Sequence, residues 1–139
     1  MRQPATPCYS IIPGKKDLCC SPKPLHYLSI PKPIMIEGLV SVIMPTYNSG
    51  KYLADSIESV LNQTYQHLEP LITDDCSSDA DTINLLKKYQ QEDDRVKVVF
   101  LKENGGPGVA RNNSIERAQG QYIAFCDSDD RWFPDKLEK

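Results

Sequence analysis

Asp127, Asp129 and Asp130 stand in the run FCDSDDRW, directly after the apolar stretch QYIAF. Carboxylates so close repel one another unless a cation or hydrogen-bond donors answer them. Alternation of Asp127 and Asp129 at a strand end would aim both at one space. A divalent ion with oxygen ligands is the plainest answer, because such an ion commonly takes one or two carboxylates and completes its shell with substrate phosphates. A simpler account is an acidic loop leading to a helix N-terminus, where negative charge is favoured. Two further runs are of the same kind: PTYN at 45–48 and TDDCSSD at 73–79, the latter with Asp74 and Asp75. The first could be an ordinary strand-to-helix turn and the second a set of helix caps. A fourth run, ENGGPGVARN (103–112), fails the dinucleotide fingerprint: Arg111 stands where the third small residue belongs, and no G-K-[ST] is present. It reads as a turn and a helix start, with Arg111 one turn in and able to reach a phosphate beside the helix N-terminus.

These runs need elements to bring them together. LVSVIMPTYN is a β-branched and aliphatic run that Pro45 should stop, as for a buried strand. SGKYLADSIESVLNQTY puts Leu53, Ile57, Val60 and Leu61 on one helical face, with Ser49 as the cap. LEPLITDD is a second strand, and Pro70, unable to donate to a ladder, belongs at its start or on a bulge. Ser78 or Asp79 begins a second helix, and RVKVVFLKE alternates into a third strand. GPGVARNNSIERAQG is a helix with Pro107 in its first turn and Gly120 just past its end. QYIAFCD is a fourth strand, and PDKLEK opens another helix. The alternation predicts an α/β fold: an open, mainly parallel sheet with helices on both faces and right-handed crossovers. If the first two crossovers move outward and the third returns past the starting strand, the order is 3-2-1-4. PTYN, TDDCSSD and DSDD then converge on one crevice outside the carboxyl ends of the strands.

The 139 residues suit a single domain. Seven of the eleven prolines fall in residues 1–37 (Pro4, Pro7, Pro13, Pro22, Pro24, Pro31 and Pro33), where neither a helix nor a central strand can run far. That segment is expected to be an extended or disordered lead-in, with Leu25, Tyr27, Leu28 and Ile30 as its docking residues, ahead of a domain at 38–139. Presentation of a proline-rich peptide is its functional alternative. A net charge of −3 gives no basic stripe for nucleic acid. No window of 18 apolar residues and no secretory leader is present, so the expectation is a cytoplasmic chain without a transmembrane segment, at most peripheral at the inner membrane surface. The cysteines are odd in number (Cys8, Cys19, Cys20, Cys76 and Cys126) and form no C-x-x-C pair, which reads as reduced thiols, with Cys126 a small buried hydrophobe. His26 and His67 form no ligand pair and read as surface residues.

Taken together, VSVIMPTYNSGKYLADSIESVLNQTY, LITDDCSSDADT and NGGPGVARNNSIERAQGQYIAFCDSDDRWFPDKLEK resemble the first half of a family 2 glycosyltransferase of the GT-A fold, over about Leu39 to Lys139. Singly the motifs are loose; in this order and spacing they are specific. The resemblance implies transfer of a sugar from a nucleotide-diphosphate sugar to an acceptor with a divalent metal, Mn2+ or Mg2+, in cell-surface polysaccharide biosynthesis. It also implies that Pro45, Thr46 and Tyr47 line the nucleotide base and that Asp75 hydrogen-bonds it, Asp74 being the more variable neighbour. Arg111 falls near the donor phosphates. Asp127, Ser128 and Asp129 match a D-x-D motif, both carboxylates being metal candidates; in that motif the second ligates the ion and the first lies near the ribose. The physics agrees, since an ion at Asp129 would neutralise a diphosphate leaving group, Tyr47 offers an apolar face, and Asp75 can accept an N–H.

In that family the acceptor pocket and the general base lie downstream of D-x-D, beyond Lys139. The expectation is therefore a donor-binding portion, truncated after the fourth strand, with an exposed sheet edge, little or no transfer activity alone, and a missing C-terminal half or self-association as its partnering. The acceptor, whether sugar, lipid or protein, is not specified. The alternatives are a non-catalytic nucleotide-diphosphate binding module and a receiver-like phosphoryl-transfer domain. The latter would need a lone aspartate after the third strand and a lysine after a fifth, and the third strand here ends in LKENGG.

Overall fold

The computed structural model describes residues 34–139. The lead-in up to Pro33, with its docking residues, Cys8, Cys19, Cys20 and His26, lies outside the described residues. β1 spans Ile36–Thr46, α1 Gly50–Leu61, β2 Leu68–Asp74, α2 Ala80–Glu92, β3 Lys97–Phe100, α3 Pro107–Arg117 and β4 Gly120–Phe125. All pairings are parallel and the strand order is β3-β2-β1-β4, the order expected from the crossovers.

Alternation along β1 divides the molecule into two layers. Val40, Val42 and Met44 point to one face, where with Ile72 and Val98 they meet Leu53, Ile57 and Val60 of α1 and Leu86 and Tyr89 of α2. Burial of each such aliphatic side chain stabilises by about 1.5–3 kcal/mol. α3 covers the other face through small residues: Ala110 and Ser114 are fully buried. The Ser114 hydroxyl donates to the Leu71 carbonyl at 3.1 Å and lies 2.7 Å from Thr73 Oγ1. β4 is an edge, and Tyr122, Ile123 and Phe125 on it remain exposed, as expected.

The two prolines sit differently from expectation. Pro45 does not stop β1; it pairs with Thr73, and the strand continues to Thr46. Pro70 is neither at the start of β2 nor on a bulge; it is the third residue and pairs with Val42. The register explains both. The Val40 amide donates to the His67 carbonyl, and the Leu101 amide to the Asp74 carbonyl. Alternation then turns the Pro70 nitrogen away from β1, toward a flank where the β3 ladder begins only at Leu71 opposite Lys97. By the same alternation the Pro45 nitrogen faces β4, whose last pairing is Phe125 with Ile43. Each missing donor faces a flank with no strand, so neither costs a ladder bond.

Three local expectations also change. Ser49 precedes α1, but its hydroxyl bonds the Tyr47 carbonyl and Ser128 rather than a helix amide. Gly120 is not a helix terminator: α3 is capped at Ala118, and Gly120 starts β4, where a Cβ would lie 2.6 Å from the Leu39 carbonyl oxygen and 2.7 Å from the Ser41 nitrogen. PDKLEK forms only a 3-10 turn at Lys136–Glu138. The buried amide of Gln63 donates to the Phe133 carbonyl at 2.7 Å and accepts from the Leu137 amide at 3.2 Å, which fixes this segment against α1 and consumes backbone groups a helix would use.

Near the amino ends of the strands, Glu69 ties the sheet together. It is 3% exposed, accepts from the Ser41 hydroxyl at 2.6 Å and the Gln119 amide at 2.8 Å, and pairs with Lys97 at 2.7 Å. Burial alone would raise its pKa, but these donors outweigh burial and hold it below the usual value of 4.5.

Candidate functional site

The carboxyl ends of β1 and β4 diverge after Ile43 and Phe125, and the gap opens into a cavity of about 600 Å³. Its walls include Pro45, Thr46 and Tyr47 from the end of β1, Asp75 from the end of β2, Arg111 from α3, and Asp127, Ser128 and Asp129 from the segment after β4. Each of these eight residues was singled out in the sequence and lines the one cavity; Asp74 and Asp130, from the same acidic runs, do not.

Each wall has a local cause. Asn48 takes a left-handed backbone, φ 47, and its side-chain oxygen accepts from the amides of Ser78 and Asp79, both at 3.0 Å. That joins the turn after β1 to the start of α2 and leaves the Tyr47 ring 52% exposed at the cavity. Thr46 is buried, and its Oγ1 has no hydrogen-bond partner among the described residues.

Asp74 and Asp75 part company at the end of β2. Asp74 does not line the cavity: it accepts from the Ser77 amide at 2.9 Å and the Ser77 hydroxyl at 2.5 Å. The capping account of TDDCSSD therefore holds for Asp79, which caps α2 by accepting from the amides of Asp81 and Thr82, whereas Asp74 closes a turn on Ser77 before the helix begins. Asp75, 3% exposed, faces the loop before α3. Its Oδ1 accepts from the Gly105 amide at 2.8 Å and its Oδ2 from the Gly106 amide at 2.7 Å.

The acidic segment is held from beneath. Ser128 is buried; its hydroxyl lies 2.8 Å from that of Ser49, and its carbonyl accepts from the Ser56 hydroxyl at 2.8 Å. Pinning the central residue presents Asp127 and Asp129 to the cavity, while Asp130 is exposed and does not line it. Across the cavity, Arg111 Nη2 meets Asp127 Oδ1 at 2.7 Å. Among the described residues no three Asp, Glu, His or Cys side chains gather as a metal cage. The carboxylates on the cavity are Asp75, held by the loop amides, Asp127, paired with Arg111, and Asp129.

Two lining residues that the sequence reading gave no place in the site are Tyr52 and Asn104. Asn104 had a signal, as the last polar residue before Gly105-Gly106; Tyr52, inside an amphipathic helix, had none. His67 is exposed, as expected. Among the described residues no helix is long and apolar enough to cross a membrane.

Comparison with known proteins extends this picture. A putative teichuronic acid biosynthesis glycosyltransferase of Bacillus subtilis, TuaG, is 54% identical over 103 residues, which are 74% of this chain and 40% of the relative. The chain thus spans well under half the length of that protein. The crystal structure of S. aureus TarS 1-349 in complex with UDP superposes with a TM-score of 0.65 at 38% identity, covering 71% of this chain and 30% of that one. Mannosyltransferase PcManGT from Pyrobaculum calidifontis, solved with GDP-Man and Mn2+, gives a TM-score of 0.66 at 23% identity over 81% of this chain and 35% of its own, a likeness of fold alone. The sequence profile of Glycosyl transferase family 2 matches residues 41–139, from the middle of β1 through the acidic segment and onward. The chain belongs to glycosyl transferase family 2.

Proposed function

We propose that the cavity binds the nucleoside diphosphate moiety of a nucleotide sugar together with Mn2+ or Mg2+, as the donor-binding portion of a glycosyltransferase. The observation that carries this reading is the meeting of Tyr47, Asp75, Arg111, Asp127 and Asp129 on one cavity of about 600 Å³, a volume suited to a ligand of that size. Pro45, Thr46, Tyr47 and Asp75 form the nucleoside end. The exposed Tyr47 ring offers a face for the base, and Thr46 brings a buried hydroxyl that no other group among the described residues satisfies. Arg111, one turn into α3, supplies a charge for the diphosphate and is paired with Asp127, which lines the same cavity with Ser128.

Asp129, with Asp127, would hold the divalent ion, which when bound offsets the charge gathering on the diphosphate as the sugar leaves. The protein's own part is to orient both groups: the Ser49–Ser128–Ser56 contacts fix the acidic segment, and the amide clamp of Asp75 fixes the loop opposite. The TarS complex with UDP favours a uridine nucleotide, and the TuaG name favours an acceptor in a cell-surface polymer. The domain expected at 38–139 takes in Ile36 and Glu37 as well, since β1 begins at Ile36. The test is thermal unfolding with UDP, GDP and CDP, each with and without Mn2+. A UDP-dependent rise in Tm that grows when Mn2+ is present supports the reading, and no rise with any nucleotide refutes it.

A further inference from the structure

We infer that Arg117 is a positioning residue for the nucleotide cavity: its guanidinium fixes how α3 sits on β2, and so where Arg111 stands. The inference rests on the nucleotide reading of the cavity and deepens it.

α3 is seated almost without apolar packing. Its aliphatic side chains larger than alanine, Val109 and Ile115, stay 50% and 37% exposed, and its buried residues are Ala110 and Ser114. Apolar burial has no direction, so two small residues let the helix come close without deciding its rotation or its slide along the strand. Hydrogen bonds have direction, and they decide both.

Arg117, the last residue of α3, supplies most of them. Its Nη2 donates to Thr73 Oγ1 at 2.9 Å, to Ser114 Oγ at 3.3 Å and to the Ile72 carbonyl at 3.4 Å. Its Nε donates to the backbone and side-chain oxygens of Asn113, one turn back, at 3.3 and 3.2 Å. The Thr73 hydroxyl closes the network, donating to Asn113 Oδ1 at 3.2 Å and lying 2.7 Å from Ser114 Oγ. A planar, rigid fork thus joins Ile72 and Thr73 of β2 to Asn113 and Ser114 of its own helix, with a fixed geometry that a lysine ammonium does not have.

Arg117 itself does not line the cavity, whereas Pro107, Ala110 and Arg111 of the same helix do. Arg111 lies about 9 Å up the helix axis from Arg117 at the usual rise per residue. A turn or slide of α3 at the Arg117 end is therefore carried to the cavity wall. There the Arg111 guanidinium works at 2.7 Å from Asp127, a separation at which a displacement of about 1 Å removes a hydrogen bond.

The experiment compares the wild type with Arg117→Met, which keeps the stem and removes the fork. Thr73→Val, which removes the hydroxyl at the other end of the network, decides the matter if the methionine variant does not fold. Two readouts are taken on folded protein. The first is Mn2+-dependent affinity for whichever of UDP, GDP and CDP the wild type binds, with and without Arg111→Ala in the same chain. The second is the NMR resonance of the Arg111 Nε–H without ligand, beside the amide resonances of α1 and α2. Each variant is expected to weaken the nucleotide by roughly five- to tenfold, and Arg111→Ala added to it to cost less than about twofold more, since both act through one guanidinium. The Arg111 resonance should shift while those of α1 and α2 stay in place. A role in stability alone would lower the Tm and leave both the affinity and the Arg111 resonance as in the wild type, and that result overturns the inference. Losses that multiply when the substitutions are combined overturn it too, because Arg117 would then act other than through Arg111. If the wild type binds none of the three nucleotides, the nucleotide reading fails, and the Arg111 resonance alone decides whether Arg117 sets the seat of α3.

Discussion

Arg111 reaches across the cavity to Asp127, Nη2 to Oδ1 at 2.7 Å, so that α3 and the segment after β4 are tied by an ion pair at the place proposed for the diphosphate. The two side chains are 36% and 44% exposed, and pairs of that kind contribute only about 0–1 kcal/mol to stability. Arg111→Ala should therefore shift the urea midpoint little while lowering affinity for UDP with Mn2+ by roughly tenfold, the cost of one charge-assisted contact. Calorimetric titration beside a denaturation curve checks both; equal affinity for UDP would remove Arg111 from the phosphate role.

The neighbouring acidic residues should separate by position. Asp129 lines the cavity and Asp130 does not. Asp129→Asn is expected to abolish the extra thermal stabilisation that Mn2+ adds to UDP, and Asp130→Asn to retain it. A variant pair that loses the manganese effect equally would place the ion elsewhere in the segment.

Glu69 should make the fold acid-sensitive. Its folded-state pKa is held below 4.5, so its contribution to stability is complete above that value and is lost as pH falls through the lower, folded-state one. Glu69→Gln is expected to cost roughly 2 kcal/mol near pH 7, with the gap from wild type narrowing below about pH 4. Chemical denaturation across pH measures the gap; one that stays constant would mean that the Lys97, Ser41 and Gln119 contacts do not favour the ionised form.

Gly120 is required by space. A methyl carbon on its Cα would sit 2.6 Å from the Leu39 carbonyl oxygen and 2.7 Å from the Ser41 nitrogen, both of them backbone atoms, so Gly120→Ala should destabilise by about 1–3 kcal/mol. Melting of the variant tests this, and an unchanged Tm would mean that β4 can move away from β1 without cost.

Cys126 reports on the integrity of the same region. It is fully buried, and burial first, then the Asp130 carboxylate, push its thiol up to about 12. Alkylation of Cys126 at pH 8 should be slow in the native protein and should follow unfolding when urea is added. Rapid labelling without denaturant would show that the segment between β4 and Asp127 opens freely.

Much of this was legible in the sequence because it depends on local pattern. The alternating elements follow from periodicity; the 3-2-1-4 order rested on one condition on the crossovers, that the first two move outward and the third return past β1, and it places PTYN, Asp75 and DSDD at neighbouring strand ends. What escaped depends on distant partners. Whether Pro45 and Pro70 interrupt a strand depends on which flank each nitrogen faces, a matter of register with β4 and β3. The Ser49 hydroxyl leaves its helix for Ser128, 79 residues on, and the segment at PDKLEK yields to Gln63, about 70 residues before it. Asp74 and Asp75 look alike in sequence; only the glycines near position 105 show that one holds a turn and the other a loop.

The most direct measurement is anomalous diffraction at the manganese edge from crystals grown with UDP and Mn2+. The account predicts a single strong peak within coordination distance of an Asp129 carboxylate oxygen and of the diphosphate oxygens, with the uracil beside Tyr47. UDP bound with no such peak, or a peak away from the wall formed by residues 127–129, would contradict it.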